Sequence, residues 1–501
     1  MKSPLMKRKI MTEKAGKIFF TALMAFAVVL GCAGAAHGYL PPKFGGTLKV
    51  AVPARISKID PTMAVEDHVF MVAGCIFETL LTQGAGDSLV PVLLEGLPVA
   101  SDDRLTYYFK LRVGVMFHDG TPLDSADVVH SFKKLISNRR SPYSWIFKDV
   151  AGLEEFRTGS SRSVEGIKIS DPHRFEITLS KENRNFLKYL TFPAASIIPT
   201  ADRDYEPPIG TGPFIFVNRN ARGDIILSAN SNYREGRPYL DSIEFRLIRN
   251  DRERTTEFIR GEIDVIDYPP GGMDIEVENL FDPPLVSPMK RMYFLELNPA
   301  FRSLGDPVSR ATVSEIIDRT AIVRNILNGH GSVETNITSK EKKPPISNSI
   351  SGEVLPLWFP DHMTELSKIA EKISYDLKTK GYNVLLRETS PRGILQYPAD
   401  DAPAMILRSL PVLFACRESL EEPLYNREYK TRQTAAVIRL GEPDEMEITP
   451  TRDTVIMLFS RRDAYMRQKK VHGLAPGPHG ELEFENTFIR DYLSETEQLE
   501  N

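Results

Sequence analysis

The sequence predicts an α/β protein made of two or more lobes. With 501 residues and 42% apolar content, the chain can bury more than one hydrophobic core. Residues 105–136 place an alternating strand, a tight turn and an amphipathic helix in direct succession. An amphipathic helix at 361–380 stops at Gly381 and leads into a strand that begins at Tyr382. Helices that alternate with strands in this way are typical of an α/β fold.

The stretch 105–136 is the most informative part of the sequence. Its first residues alternate between the two faces of a strand, and a turn follows at 118–122, where Gly120 allows a positive φ. Asp124 or Ser125 is positioned to cap the helix that follows. Spacings of three and four residues predict that the inward face of this helix is formed by Ala126, Val129, Phe132, Lys133 and Ile136.

The same periodicities predict the other elements. Short apolar or alternating runs indicate strands, and apolar residues three and four positions apart indicate helices. Strands are expected at 45–52, 174–179, 214–217, 263–266 and 382–386, and helices at 69–81 and 254–260. Residues 404–408 form a further apolar run.

Residues 1–38 have the three parts of a signal peptide. Residues 1–17 are basic, residues 18–31 are uncharged and mostly apolar, and small residues precede Tyr39. The sequence Val-Leu-Gly-Cys that ends at Cys32 indicates an alternative, a lipoprotein signal with a lipid anchor on that cysteine. An uncleaved membrane anchor is a third alternative, because the uncharged run is nearly long enough to cross a bilayer. Each alternative places the bulk of the chain outside the cytoplasmic membrane.

Charge and motif content exclude several classes of function. The first 38 residues contain six Lys or Arg and one acid, so the remainder is more acidic than the whole chain, whose formal net charge is −4, and nucleic-acid binding is not expected. The three cysteines and nine histidines show no metal-ligand spacing, so no metal site and no cofactor are expected. Neither a GxSxG elbow nor a diagnostic carboxylate pair is present, so the sequence predicts no catalytic residue and no enzyme activity. Cys75 lies in an apolar run and is expected to be a buried thiol, with a disulfide to Cys416 as the alternative.

Several motifs occur in a fixed order along the chain. They are GGTL at 45–48, FHDG at 117–120, GTGPF at 210–214, GEIDV at 261–265 and DPVSRA at 306–311. In this order they resemble the extracytoplasmic solute-binding proteins of peptide/nickel-type ABC importers, the family 5 solute-binding proteins. The resemblance extends from about residue 46 to 490 and is weak only in 389–453, which is shorter and more charged than is usual in the family.

The resemblance implies a two-lobed periplasmic-binding-protein fold of type II, cluster C-like, with an extra inserted small domain. It also implies strands at 292–298 and 455–459, and it places the stretch 105–136 in the inserted domain. His118 and Asp119 belong to the turn of that stretch, and a structural role is expected for both. The domains are expected to be lobe I (46–80, 193–288 and 466–495), the inserted domain (81–192) and lobe II (289–465, shortened in 389–453).

The resemblance also implies a function. The protein would capture an oligopeptide or similar small solute between its lobes and deliver it to an ABC permease, whose ATPase subunits hydrolyse ATP. It would be periplasmic or extracytoplasmic and would contact the membrane only through a lipid anchor at Cys32 or an uncleaved N-terminal segment. The alternative is a non-transport module on the same fold, with a peptide-sensing or chaperone-like role, because the region 389–453 departs from the family.

Four residues are expected to bind the solute. The resemblance places the loop after Pro61 at the cleft, where Glu66 and Asp67 could meet a cationic group of the solute, and a solvated helix cap is the alternative for both. His68 is either part of the cleft wall or a residue of the helix start. On the opposite lobe, Arg408 could pair with a solute carboxylate, and a surface salt bridge is its alternative.

Overall fold

The fold is seen in a computed structural model of the chain. It describes residues 42–64, 66–84, 88–138, 141, 143–201, 204–269, 272–273, 275–334, 352–361, 364–390, 394, 401–411 and 454–490. The predicted signal segment 1–38, Cys416 and most of 389–453 lie outside the described residues.

The strands follow the predicted order along the chain. In the described residues they are β1 (Thr47–Val52), β2 (Leu81–Gln83), β3 (Leu89–Pro91), β4 (Val99–Ala100), β5 (Thr106–Lys110), β6 (Ile167–Asp171), β7 (Arg174–Thr178), β8 (Phe214–Arg219), β9 (Ile225–Ala229), β10 (Ser242–Leu247), β11 (Val265–Asp267), β12 (Leu285–Leu297), β13 (Ser332–Val333), β14 (Val354–Pro360), β15 (Asn383–Thr389), β16 (Met405–Pro411), β17 (Val455–Arg467), β18 (Val471–His472), β19 (Ala475–Pro476), β20 (Leu482–Glu483) and β21 (Phe488–Ile489).

The helices lie between these strands. They are α1 (Asp67–Ile76), α2 (Ser125–Ser137), α3 (Leu153–Arg157), α4 (Phe186–Tyr189), α5 (Asp251–Ile259), α6 (Ile275–Glu278), α7 (Pro307–Ile316), α8 (Arg319–Ala321) and α9 (Thr364–Thr379). Short 3-10 turns are found at Ser144–Phe147, Pro193–Ala195 and Arg302–Leu304, and a π-helical turn at Ile322–Ile326. Within the described residues, none of the helices is both long and apolar enough to span a bilayer.

One mixed sheet connects the two lobes. Among the described residues its strand order is β15-β14-β16-β12-β17-β11-β1-β10-β9-β8, and β13 also pairs with β17. β12 and β17 are each 13 residues long and run antiparallel to each other. These two strands were predicted much shorter, at 292–298 and 455–459, because their other halves carry several charges.

The two lobes have separate hydrophobic cores. The first contains β1, α1, β10 and the C-terminal end of β17, including Tyr465. The second contains α9, β14 and the N-terminal end of β17, including Phe459. β17 therefore passes from one core to the other, and burial of apolar side chains at both of its ends stabilises each lobe.

A separate four-stranded antiparallel sheet, in the order β4-β5-β7-β6, lies within the stretch predicted as the inserted domain. Its two central strands face each other through Phe109 and Phe175, whose rings stack with centroids 4.7 Å apart. The domain boundaries given above remain a prediction.

Helix α2 confirms the predicted cap but not the predicted face. Asp124 accepts hydrogen bonds from the backbone of Ala126 and Asp127, and Asp127 bonds back to the Asp124 N–H in a capping box. Ala126 is exposed, and the buried face is turned by about one residue from the prediction, to Ser125, Asp127, Val128, Ser131, Phe132, Leu135 and Ile136. Asp127 and Ser131 are tolerated on this face because their side chains bond to the backbone of 198–200.

The FHDG and GTGPF motifs pack against each other. His118 donates its backbone N–H to the Gly210 carbonyl oxygen (2.9 Å), and its Nε2 lies 3.0 Å from the Gly212 carbonyl oxygen. The Asp119 carboxylate accepts hydrogen bonds from the backbone and hydroxyl of Thr121. The structural role predicted for these two side chains is consistent with these contacts.

Helix α1 ends at Ile76, five residues before the predicted end. The backbone of the GTGPF segment approaches the end of the helix so closely that a Cβ on Gly210 would lie 2.0 Å from the Ile76 carbonyl oxygen. That carbonyl accepts a hydrogen bond from the Gly212 N–H (2.9 Å) instead of continuing the helix. Cys75, one residue earlier, is a buried thiol, as predicted.

Candidate functional site

A cleft of about 530 Å³ receives side chains from both lobes. One wall is formed by β1, β11 and the first turn of α1, and the other by the end of β14, the first turn of α9 and β16. β12 and β17 connect the two walls and contribute residues along their central parts. Its volume is within the range of roughly 300–1,000 Å³ that is typical of sites for small ligands.

All four residues predicted to bind a solute line this cleft. Glu66 is the N-cap residue of α1, although its side chain does not cap the first turn, and Asp67 is the first residue of the helix. His68 follows and is buried. Arg408 lies on β16, on the opposite wall. Their contact with a solute remains a prediction.

Asp67 belongs to a charge network that joins the wall to the connecting strands. The buried Arg291 on β12 donates to the Asp67 carboxylate and, through Nε, to Asp463 on β17 at 3.1 Å. Burial raises the pKa of Asp67, and the guanidinium of Arg291 opposes this shift. Burial disfavours the charge on Arg291, but Asp463 and Asp67 outweigh it and raise its pKa well above the ordinary value. Asp67 therefore already has a cationic partner within the protein, while its side chain remains 39% exposed.

A second network lies two residues away along each of the two strands. Arg461 on β17 contacts the Glu365 carboxylate at 2.5 Å, and the Tyr293 hydroxyl donates to the other oxygen of Glu365 at 2.7 Å. Glu365 is 1% exposed, so its charge is stabilised by these two partners rather than by water. The arrangement fixes Arg461 against the base of α9.

Arg408 also has a carboxylate partner within the protein. Its Nε lies 3.0 Å from the Glu296 carboxylate, and its Nη2 donates to the Ile394 carbonyl oxygen at 3.4 Å. The alternative of a surface salt bridge is wrong about location, because the Arg408 side chain is only 8% exposed. The neighbouring strands bury the pair, and a guanidinium there requires a partner.

Arg254 on α5 completes this pattern. It contacts Asp251 at 2.5 Å and Asp267 at 3.1 Å, and it is 4% exposed. Four buried or nearly buried arginines of the cleft, namely Arg254, Arg291, Arg408 and Arg461, thus each have a carboxylate within 3.1 Å.

Sequence reasoning missed most of these residues. Glu365 lies in the predicted helix 361–380, and no element was predicted at Arg291, Arg461 and Asp463. The available signal was the dense charge of Arg461, Arg462 and Asp463 directly after an apolar run. In the described part of the chain, no group of three or more His, Cys, Asp or Glu side chains is arranged to hold a metal ion.

Comparison with known proteins agrees with the fold. A family model described as "Bacterial extracellular solute-binding proteins, family 5 Middle" matches residues 88–382. Glutathione-binding protein GsiB of Salmonella paratyphi A is 27% identical over 300 residues, which is 58% of this chain and 55% of that protein. The probable di/tripeptide-binding protein 5 of Pseudomonas aeruginosa is 27% identical over 270 residues, half of each chain. The chain thus spans about half the length of the curated relatives it matches.

Solved structures confirm the two-lobed fold. The murein tripeptide binding protein MppA of Escherichia coli is similar with a TM-score of 0.75 at 16% identity, covering 90% of this chain and 100% of that one. The oligopeptide-binding protein AppA of Bacillus subtilis, solved with a nonapeptide, has a TM-score of 0.71 at 17% identity and the same coverage. The resemblance deduced from the motifs is confirmed by the family match, and this chain belongs to the bacterial extracellular solute-binding proteins, family 5.

Proposed function

We propose that this protein is the extracytoplasmic solute-binding component of an ABC importer, which captures an oligopeptide or similar small solute and delivers it to a membrane permease. The observation that carries the proposal is the cleft of about 530 Å³ lined from both lobes. A solute held there would contact both walls, so its binding energy would favour the closed arrangement of the lobes.

The relatives support a peptide-like solute. Their names specify glutathione and di- or tripeptides, and the AppA structure holds a nonapeptide. Because the family consists of binding proteins, the charged side chains of the cleft are assigned to recognition rather than to catalysis. Glu66, Asp67, His68 and Arg408 remain candidates for contact with the solute.

Delivery requires a location outside the cytoplasmic membrane. The family description specifies extracellular proteins, and the proposal includes export by the predicted signal segment 1–38. Mass spectrometry of the mature N-terminus distinguishes the three alternatives: a start after Ala36 or Gly38, an acylated Cys32, or an intact N-terminus.

The binding step is tested by thermal unfolding with a panel of solutes. The panel contains glutathione, peptides of two to nine residues, nickel chelates, haem and sugars. A solute present at about 100 times its Kd should add about 2.7 kcal/mol to the free energy of unfolding and raise Tm. Absence of a shift with every class would contradict the proposal.

A matched pair of variants localises the binding. Val286 is 52% exposed and lines the cleft, whereas Val99 is 67% exposed on the small sheet. Val286→Trp should fill part of the cleft and abolish the Tm shift caused by the solute, and Val99→Trp should retain this shift.

The gene neighbourhood distinguishes transport from the alternative function. Binding of a solute by a protein whose gene has no neighbouring permease and ATPase genes would favour the peptide-sensing or chaperone-like alternative.

A further inference from the structure

Two cations face each other directly in the cleft. In the antiparallel ladder of β12 and β17, Lys290 is the register partner of Arg462. Both side chains are exposed and both line the cleft. Residues paired in this way have Cβ atoms roughly 4.5–5.5 Å apart, and like charges in such positions repel each other.

In the adjacent pair of the same ladder, two opposed cations are neutralised by carboxylates. Arg291 is the register partner of Arg461, so two further cations are opposed there. Arg291 is neutralised by Asp67 and Asp463, and Arg461 by Glu365. Among the described residues, neither Lys290 nor Arg462 has an ion-pair partner. The charges of the Arg291–Arg461 pair are balanced within the protein, whereas those of the Lys290–Arg462 pair are exposed in the lining of the cleft.

An irregularity of β12 precedes Lys290. Val286 pairs with Ala464, and the next paired position is Lys290 with Arg462, so two extra residues of β12 bulge out of the ladder. Pro288 lies in this bulge, where its missing N–H costs no ladder hydrogen bond. Bulges change the direction of side chains and are common next to binding sites. The half-exposed Val286, which directly precedes this bulge, lines the same cleft as the two cations.

We propose that the solute carries an anionic group, a carboxylate or a phosphate, which binds between Lys290 and Arg462. This inference rests on the proposed function, because it specifies the chemistry of the solute in the same cleft. An anion there removes the repulsion and accepts charge-assisted hydrogen bonds from both side chains. Arg408 is a poorer donor site for the anion, since Glu296 already neutralises its guanidinium.

The anion site can be tested without knowing the solute. Thermal unfolding of the full chain is measured with inorganic phosphate and, at equal ionic strength, with chloride. Phosphate should raise Tm more in the wild type than in Lys290→Gln/Arg462→Gln. The double variant in chloride should be no less stable than the wild type, because it lacks the opposed charges.

The control variant is Arg222→Gln/Lys380→Gln, which removes the same two charges at exposed sites outside the cleft. It should respond to phosphate like the wild type, since general salt effects act on all three proteins alike. An equal phosphate shift in wild type and cleft variant would overturn the proposal.

Matched peptides then identify the source of the anion. Each peptide is compared with a free or amidated C-terminus, and a serine peptide with its phosphorylated form. The anionic member of the preferred pair should bind the wild type about tenfold more tightly, a ratio expected from one charge-assisted hydrogen bond, and the double variant should lose this preference. Equal affinities for neutral and anionic members would contradict the anion site and leave the proposed function intact. Protection by phosphate that requires Lys290 and Arg462, together with no binding of any solute class, would contradict the proposed function alone.

Discussion

Arg291 donates a hydrogen bond to Asp67, a residue 224 positions away in the sequence. Asp67 begins α1 and packs with the first lobe, whereas Arg291 lies on β12, which continues into the second core. The contact therefore ties one wall of the cleft to the strands that join the lobes. Because Arg291 is 4% exposed, its charge depends on Asp67 and Asp463.

Replacement of Arg291 should be strongly destabilising. Arg291→Leu leaves two carboxylates without their cation and should lower the free energy of unfolding by about 3 kcal/mol. Arg291→Lys should recover only part of this loss, because an ammonium group cannot form the two-sided contact of a guanidinium. Urea unfolding measures both, with the exposed Arg222→Leu as the control. A loss no larger than that of the control would show that the network does not stabilise the fold.

Arg408 and Glu296 should depend on each other. Arg408→Met removes the guanidinium that neutralises Glu296 and should cost about 3 kcal/mol, whereas Arg408→Met/Glu296→Met should recover most of the stability. The free energy of unfolding of each variant is measured on the protein without solute. If the double variant is as unstable as the single one, the pair is not the reason for the loss, and a role of Arg408 in packing explains it better.

Two neighbouring residues should give opposite pH dependences of stability. Burial lowers the pKa of His479 from 6.5 to about 4, so the unfolded chain binds a proton first, and stability falls as the pH drops from 6.5 to 4. Burial raises the pKa of Glu481 from 4.5 to about 7, so stability falls as the pH rises from 4.5 to 7. Between these limits the two contributions oppose each other in the wild type.

Glu481→Gln should remove the contribution of the buried acid and leave that of His479. Relative to the wild type, the variant should gain about 2 kcal/mol in its free energy of unfolding when the pH is raised from about 5 to about 7. Urea unfolding at several pH values tests this, with the exposed Glu315→Gln as the control. Parallel curves for wild type and Glu481→Gln would rule out the buried acid as a source of the pH dependence.

The GTGPF segment should tolerate no side chain at its first glycine. Gly210→Ala places a Cβ 2.0 Å from the Ile76 carbonyl oxygen, and the backbone must move, at a cost of about 3 kcal/mol. Gly96→Ala is the control, because no atom lies within 4 Å of its added Cβ. Similar stabilities of the two variants would mean that α1 and the segment can separate without cost.

Elements whose burial follows a simple period were predictable from the sequence. β1, β5, β7 and α9 lie close to their predicted positions, since one face of each is apolar and the other polar. Two of the motifs that indicated the family, FHDG and GTGPF, contact each other in the fold. His118 bonds to the carbonyl oxygens of Gly210 and Gly212, and a side chain at Gly210 would clash with Ile76. The predicted face of α2 was wrong because the polar residues Asp127 and Ser131 are buried, and the hydrogen bonds that permit their burial come from a distant segment, 198–200.

The candidate site was predictable only in part for the same reason. Glu66, Asp67, His68 and Arg408 were placed by the resemblance, and the structure brings them to one cleft. Arg291, Asp463 and Glu365 were missed because a buried charge looks like a surface charge until its partner is known. Their partners lie 72 to 224 positions away, beyond the reach of any local pattern.

β12 and β17 serve two purposes with the same residues. They contribute side chains to the cleft and are also the segments that must bend if the lobes move apart. A substitution on either strand therefore alters the lining of the cleft together with the segments that connect the lobes. Because Asp67 of α1 and Arg408 of β16 are also paired with residues of β12, changes on those two elements act on the same connecting strand.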